Sequence, residues 1–360
     1  MTIFLSHGGT TMYESSSPSD QVLVGTKEGI VTIERDGGSG WRVAGRVLEE
    51  KFVSSIIREP DSGLLFAGAF FGGIHVSADD GKTWEPRVNG LSQTDVYSLA
   101  TVRMGNKVRV YAGTEPAHIF YSEDLGRDWT ELPAFRDVPS VPEWKFPAPP
   151  HVGHLKHINF DPFNPSVIYG SIEVGELLRS IDEGKTWEEL GVPYKDVHRA
   201  IIPTSNPSRI YVTGGMGMYV SSDGGDSWEH WTDRDSDIGG YPDQLVFLPS
   251  NPDLMFVSAA HKSPGAWAEE CSAGARISRS SDGGRTWEAL HGGLPDRLNP
   301  SIEAMCLEEW DGGFSIFAAT TGGEVLASED SGETWSVIVG GLAPVSKKGH
   351  YTSVEVPVAA

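Results

Sequence analysis

The stretch Ser180-Ile181-Asp182-Glu183-Gly184-Lys185-Thr186-Trp187 decides how this chain folds, because it is one of a set. The same eight positions return as Ser77-Ala-Asp79-Asp-Gly81-Lys-Thr83-Trp84, Ser122-Glu-Asp124-Leu-Gly126-Arg-Asp128-Trp129 and Ser221-Ser-Asp223-Gly-Gly225-Asp-Ser227-Trp228. Two more read Ser280-Ser-Asp282-Gly-Gly284-Arg-Thr286-Trp287 and Ser328-Glu-Asp330-Ser-Gly332-Glu-Thr334-Trp335, and a degenerate first copy reads Asp36-Gly37-Gly38-Ser39-Gly40-Trp41. Spacings run from 41 residues (Ser180 to Ser221) to 59 (Ser221 to Ser280), the length of a four-stranded unit. The third-position Asp folds its carboxylate onto nearby backbone N–H groups, and the fifth-position Gly supplies positive φ. The Trp opens the next strand and lays its ring over the turn. Upstream of each copy come β-rich runs such as Val108-Arg-Val-Tyr-Ala-Gly113, or Val197-His-Arg-Ala-Ile-Ile202 followed by Arg209-Ile-Tyr-Val-Thr-Gly214. The repeating unit is therefore strand, turn, strand, strand, Asp turn, strand.

The 360 residues carry 50 acidic against 28 basic side chains, a formal charge of −22 that repels nucleic acid and anionic membranes. With 39% hydrophobic residues there is ample material for a packed core. Two cysteines, Cys271 and Cys306, cannot make a disulfide framework. The opening MTIFLSHGG has no basic segment followed by a long apolar one, and no apolar run approaches the ~20 residues of a membrane span. The expectation is a cytoplasmic single domain over residues 1–360. It would be a monomer or small homo-oligomer whose partner is a small molecule, not nucleic acid or membrane.

The octapeptide resembles the Asp-box, or bacterial neuraminidase, repeat, and the resemblance covers nearly the whole chain. Its proteins include sialidases, xyloglucanases, sortilin-type receptors and photosystem II assembly factors. The resemblance implies an all-β, seven-bladed β-propeller, with Tyr351-Thr-Ser-Val-Glu-Val-Pro357 closing the ring against N-terminal strands around residues 21–45. It also implies that the Asp turns lie on the face away from any ligand and are structural. One carboxylate per turn, as at Asp182 or Asp282, offers fewer oxygens than calcium needs. Sialidases of this pattern carry an early Phe/Tyr-Arg-Ile-Pro segment and an arginine triad; the nearest text here, Ile57-Arg58-Glu59-Pro60, lacks it, and that activity is excluded.

The opposite face is expected to hold the chemistry. Two aromatic-bearing insertions, about residues 132–153 and 262–276, fall there and read as lids or walls. A shared Asn-Pro aligns three first strands: eight residues before Asn164, Asn206 and Asn251 stand Lys156, His198 and Asp243, and seven before stand His157, Arg199 and Gln244. Glu173 and His261 end second strands on that face, Ser301 and Glu303 open another first strand, and His350 and Tyr351 come from the C-terminal segment. The expected metal ligands are His157, His198 and His261, with His154 and His350 beside them; imidazoles with a carboxylate suit a divalent Zn, Fe or Mn ion. His154 and His157 differ by three, so on a straight strand they point to opposite faces. Glu173 or Asp243 would serve as base, Arg199 and Lys156 would bind an anionic group or oxyanion, and Tyr351 and Glu303 complete the catalytic set.

The resulting expectation is metal-assisted hydrolase or lyase chemistry on a sugar-like or phenolic molecule. Two alternatives stand beside it. One is a non-catalytic binding or assembly propeller using the same face; the other is a glycoside hydrolase pairing carboxylates from Glu173, Asp243 and Glu303. The bland reading of the histidines is hydrogen-bonded side chains filling a polar channel mouth. No Gly-x-Ser-x-Gly elbow is present for serine catalysis.

Overall fold

The computed structural model describes residues 2–38, 40–236 and 238–353, and in it the strands form seven sheets of the seven-bladed β-propeller class. The chain divides into two compact units, a middle unit of residues 51–231 and a terminal unit of residues 1–50 with 232–360.

The middle unit contains blades 2 to 5, each a meander in chain order. Their first two strands are Phe52–Arg58 and Leu65–Phe70, Asp95–Met104 and Lys107–Glu115, His154–Phe160 and Ile168–Glu173, and Val197–Ile201 and Ile210–Gly214. Apolar side chains of successive blades pack together, as where Tyr111, Ile119, Phe135, Leu155, Ile168 and Leu178 form one cluster. Gly113 permits that approach, since a Cβ there would lie 2.5 Å from Ser98 Oγ and 2.7 Å from Leu155 Cγ.

The terminal unit contains blades 1, 6 and 7. Blades 6 and 7 open with Tyr241–Leu248 and Asn251–Ala260, and with Ile302–Trp310 and Gly313–Thr320. Blade 1 departs from the sequence reading. The edge of Gln21–Thr26 expected to receive residues 351–357 is taken by Thr2–Leu5, which pairs with it in parallel. Ile3, Phe4 and Leu5 are fully buried there, so the edge is covered by a short apolar run. Met12–Glu14 adds a second parallel strand to Ile302–Trp310 of blade 7. His350–Ser353 form a 3₁₀ turn, and the rest of the proposed closing strand lies outside the described residues. Among the described residues the one α-helix is Pro264–Glu270, and no helix is long and apolar enough to cross a membrane.

Each Asp turn joins the third strand of its blade to the fourth, as the resemblance implied. In the six full copies the backbone N–H of the seventh residue donates to the Asp Oδ1 at 2.8 to 3.0 Å. The first-position Ser donates to the same oxygen and accepts from the fifth-position Gly N–H, at 2.9 Å in each case around Ser77's counterpart Ser328. Positive φ extends one residue further than the sequence indicated. Position four is at +57° to +77° as well (Asp80, Leu125, Glu183, Gly224, Gly283, Ser331), and two such residues in succession characterise the type I′ hairpin. The indole N–H caps its own turn in four copies, for example Trp187 Nε1 to Gly184 O, 3.1 Å. In blades 3 and 5 it donates instead to the preceding blade, Trp129 to Arg87 O and Trp228 to Leu190 O.

Two outcomes follow from the turn. Gly184 sits at φ +86°, and a Cβ there would lie 2.5 Å from Leu132 Cδ1; Gly184→Ala should destabilise the protein by roughly 1–2 kcal/mol, read as a lower urea midpoint at unchanged slope. Hydrogen bonds from the side-chain hydroxyls of Thr83, Ser227 and Thr286, and then from their backbone N–H groups, hold Asp79, Asp223 and Asp282 down to about 2, below the ordinary 3.8. Carboxyls lowered on folding stabilise fully above their unfolded value and lose that contribution as pH falls toward the folded one. The melting temperature should therefore fall between about pH 4 and pH 2, and Thr83→Val, Ser227→Ala and Thr286→Val together should flatten that fall.

Candidate functional site

The first strands of six blades share a β-bulge at one register position. In the middle unit the extra residues are Ser54, Tyr97, Lys156 and His198, and in the terminal unit they are Asp243 and Glu303. A bulge re-aims a side chain and interrupts the ladder. All six side chains are buried, although four of them are ionisable and a fifth is a tyrosine. In blades 3 and 4 a cross-strand pair beside the bulge, Asp95 with Glu115 and His154 with Glu173, places one more polar group from each strand next to it.

In the middle unit these positions meet at Glu173, whose side chain is 0% exposed. His154 Nε2 lies 2.6 Å from its Oε2; Lys156 Nζ and His198 Nε2 lie 3.5 and 3.6 Å from its Oε1. Asp196 Oδ1 approaches His198 Nε2 at 3.4 Å, and Asp196 is the partly exposed member of the group. On the far side of His154, Nδ1 faces Glu115 Oε2 at 3.5 Å, and the Tyr97 hydroxyl donates to that same oxygen at 3.1 Å. His154 is thus hydrogen-bonded to one carboxylate through Nε2 and within ion-pair distance of a second through Nδ1. The Tyr97 ring stacks on the imidazole at 3.9 Å, and Phe146 closes the other approach at 5.0 Å.

The terminal unit buries a second set. Lys347 Nζ lies 3.2 Å from Asp243 Oδ2 and over the Tyr241 ring at 5.3 Å. Glu303 accepts from the backbone N–H of Lys347 and faces His350 Nδ1 at 2.9 Å. Trp267 of the Pro264–Glu270 helix meets the His350 ring edge-on at 5.6 Å and the Tyr241 ring at 6.0 Å.

Comparison with known proteins agrees with this architecture. Residues 175–297 match the model of the Sortilin-Vps10 family, described as "Sortilin, neurotensin receptor 3". Among solved structures, YCF48 bound to D1 peptide superposes with a TM-score of 0.55 at 16% identity, covering 91% of this chain and 86% of that one. An ancestral GH74 enzyme gives 0.59 at 14% identity over 80% of this chain and 38% of that one.

The chain is an Asp-box β-propeller.

A curated relative, xyloglucanase Xgh74A of Acetivibrio thermocellus, is 25% identical to the propeller over 223 residues, 51% of this chain; the match spans about a quarter (25%) of the enzyme. The sialidase reading stays excluded, and Arg58 has a local task. Its Nη1 donates to Gly63 O at 3.1 Å and to Asp80 of the blade 2 Asp turn at 3.2 Å.

The histidines expected as ligands have different neighbours. His198 joins Glu173 and Asp196, whereas His157 Nε2 accepts from Arg199 Nη1 at 3.1 Å. His261 belongs to the terminal unit, where burial and then the charges of Arg297 and Lys262 hold its imidazole below the ordinary value. His154 and His350 each engage a carboxylate, Glu173 and Glu303 respectively. Tyr351 offers its ring to Lys27 at 4.4 Å. The insertions serve as walls: Phe146 and Trp267 press on His154 and His350, while Phe135 and Trp144 fill core. Sequence reading missed Tyr97, Glu115, Asp196 and Lys347. Asp196 was within reach, two residues before His198 at the position His154 holds before Lys156.

Removing the central carboxylate tests the reading of this cluster. Glu173→Leu should cost about 3–5 kcal/mol, because it leaves the Lys156 ammonium buried without its counter-charge. The double variant Lys156→Met/Glu173→Leu should cost less than the sum of the two single changes, measured by urea denaturation.

Proposed function

We propose that this propeller is a hydrolase or lyase acting on a polar small molecule, sugar-like or phenolic, that bears an anionic group. Its reactive centre would be the middle-unit cluster around Glu173. One observation carries this reading: a fully buried carboxylate is surrounded by His154, Lys156 and His198, drawn from two blades. The fold does not require it, since the register positions matching Glu173 hold Gly215 in blade 5 and Ala260 in blade 6. Burying such groups costs stability, so their concentration at one register position favours chemistry over architecture. Glu173 and His154 would move the proton, His154 being held by Glu115 and Tyr97. Lys156 and Arg199 would meet the anionic group or the oxyanion that develops. Asp196, the partly exposed member, marks the side from which solvent reaches the cluster.

A second reading is a binding propeller, supported by the likeness to peptide-bound YCF48 over most of both chains. The xyloglucanase likeness supports a third, a glycoside hydrolase. Its paired carboxylates in the terminal unit would be Asp243 and Glu303, but both are committed to Lys347 and His350.

The deciding experiment incubates the protein and its Glu173→Gln variant with uronate-containing oligosaccharides, phenolic glycosides, and phosphate and sulfate esters. Elimination is followed by the ultraviolet absorbance of a new conjugated double bond, and hydrolysis by released phenol, reducing ends or anion. Turnover that falls at least ~100-fold in Glu173→Gln is expected, the usual contribution of one general acid or base. Saturable binding of an extended peptide with no turnover of any compound would overturn the enzyme reading in favour of the binding one.

A further inference from the structure

We infer that Glu173, Asp196 and His198 hold a divalent first-row metal ion, and that Glu115 and His154 are positioning residues that orient Glu173 toward it. The inference rests on the middle-unit cluster being the reactive centre and names the ion that would work there.

One oxygen of each carboxylate and one nitrogen of His198 all lie within 4.8 Å of one another, the separation at which three donors can share an ion. The three come from different parts of two neighbouring blades. Glu173 ends the second strand of blade 4, His198 is the bulge residue of blade 5, and Asp196 stands just ahead of that bulge. The bulge is what brings them together. His198 and Asp196 flank Val197 at the start of one strand, and His198 Nε2 lies 3.6 Å from Glu173 Oε1 and 3.4 Å from Asp196 Oδ1.

Two of the three donors are carboxylates, Glu173 and Asp196, and Lys156 stands as a neighbouring cation 3.5 Å from Glu173 Oε1.

The donor chemistry selects the ion. One imidazole with two carboxylates suits Zn, Mn or Fe(II); Mg and Ca favour all-oxygen shells, and the cuprous ion favours thiolates. Three protein ligands leave a position for water or substrate, and a bound ion would acidify that water or polarise a substrate oxygen.

His154 contributes from outside the shell. Its Nε2 is 2.6 Å from the Glu173 oxygen, Oε2, that faces away from His198, and its Nδ1 is 3.5 Å from Glu115. A carboxylate held by an imidazole that has a second carboxylate within ion-pair distance is the kind of outer support on which metal sites depend.

The test uses the 360-residue protein, stripped with chelator and titrated with Co(II), read by visible d–d absorption and by elemental mass spectrometry. One equivalent is expected to bind. Asp196→Asn and His198→Ala should abolish binding, and Glu115→Gln and His154→Gln should weaken it 10- to 100-fold with a shifted spectrum. His118→Ala, whose ring is engaged by Glu131 and Arg136 instead, should bind as the parent does. Because His198→Ala removes a buried side chain, Asp196→Asn decides the matter if that variant fails to fold. No Co(II) or Zn bound by the parent, or unchanged binding in Asp196→Asn, would overturn the site; unchanged affinity and spectrum in Glu115→Gln and His154→Gln would overturn the positioning role. Turnover that persists undiminished in the stripped protein would sink the metal inference alone. Stoichiometric metal without turnover of any compound would support the site and remove the hydrolase or lyase reading.

Discussion

The hydrogen bonds that an aspartate makes to the backbone three and four residues ahead are the constraint on which the blades depend. In Asp79 one oxygen accepts the N–H groups of Lys82 and Thr83 while the other takes the Thr83 hydroxyl, so the turn is closed from within. The fourth strand is only two residues long in four blades, for example Glu188–Glu189, and contributes little pairing of its own. The Asp turn therefore fixes the direction of a strand whose ladder could not. Because this end of each blade is self-sufficient, the residues at its other end are released from architectural duty.

That release is visible in the bulges. The bulge position accepts Ser54, Tyr97, Lys156, His198, Asp243 and Glu303, a range of size and charge that no core position tolerates. Uniform backbone with variable side chains is the pattern of a scaffold whose chemistry is set by substitution at a few fixed places. The two buried sets differ in origin. The middle-unit set is built from strand residues and Phe146, whereas the terminal-unit set draws Lys347 and His350 from the segment after the last blade.

The fold was legible because the Asp turn is local: eight consecutive residues contain all the donors and acceptors it needs. The site was half legible for the opposite reason. Lys156, His198 and Asp243 could be aligned because Asn164, Asn206 and Asn251 follow at one spacing, and Glu173 ends its strand as expected. Blade 3 has no such Asn-Pro, so Tyr97 and Glu115, at equivalent positions, gave no signal. The bulge itself leaves no mark in the sequence, and strict alternation cannot anticipate which histidine faces which neighbour. The charges of Arg297 and Arg276 that act on the His261 imidazole come from other parts of the chain and could not be anticipated from its neighbours in sequence. Thr2–Leu5 was overlooked as a strand because four residues are too few to show a period.

The parallel strands contributed by the N-terminus give the chain a temporal problem. Ser15 donates its backbone N–H to Glu309 O at 2.8 Å, a partner 294 positions away, and Met12 pairs with Leu307 in the same ladder. During synthesis on the ribosome, Ser15 must wait until Glu309, 294 positions later, has appeared before it can be sealed in place. Until then Met12 and the buried Tyr13 are apolar groups without their final cover, and the blade 7 edge is open to any strand that arrives first. The early segment is therefore a latch engaged at the end of assembly, and the interval before it engages is when nascent chains are most exposed to one another.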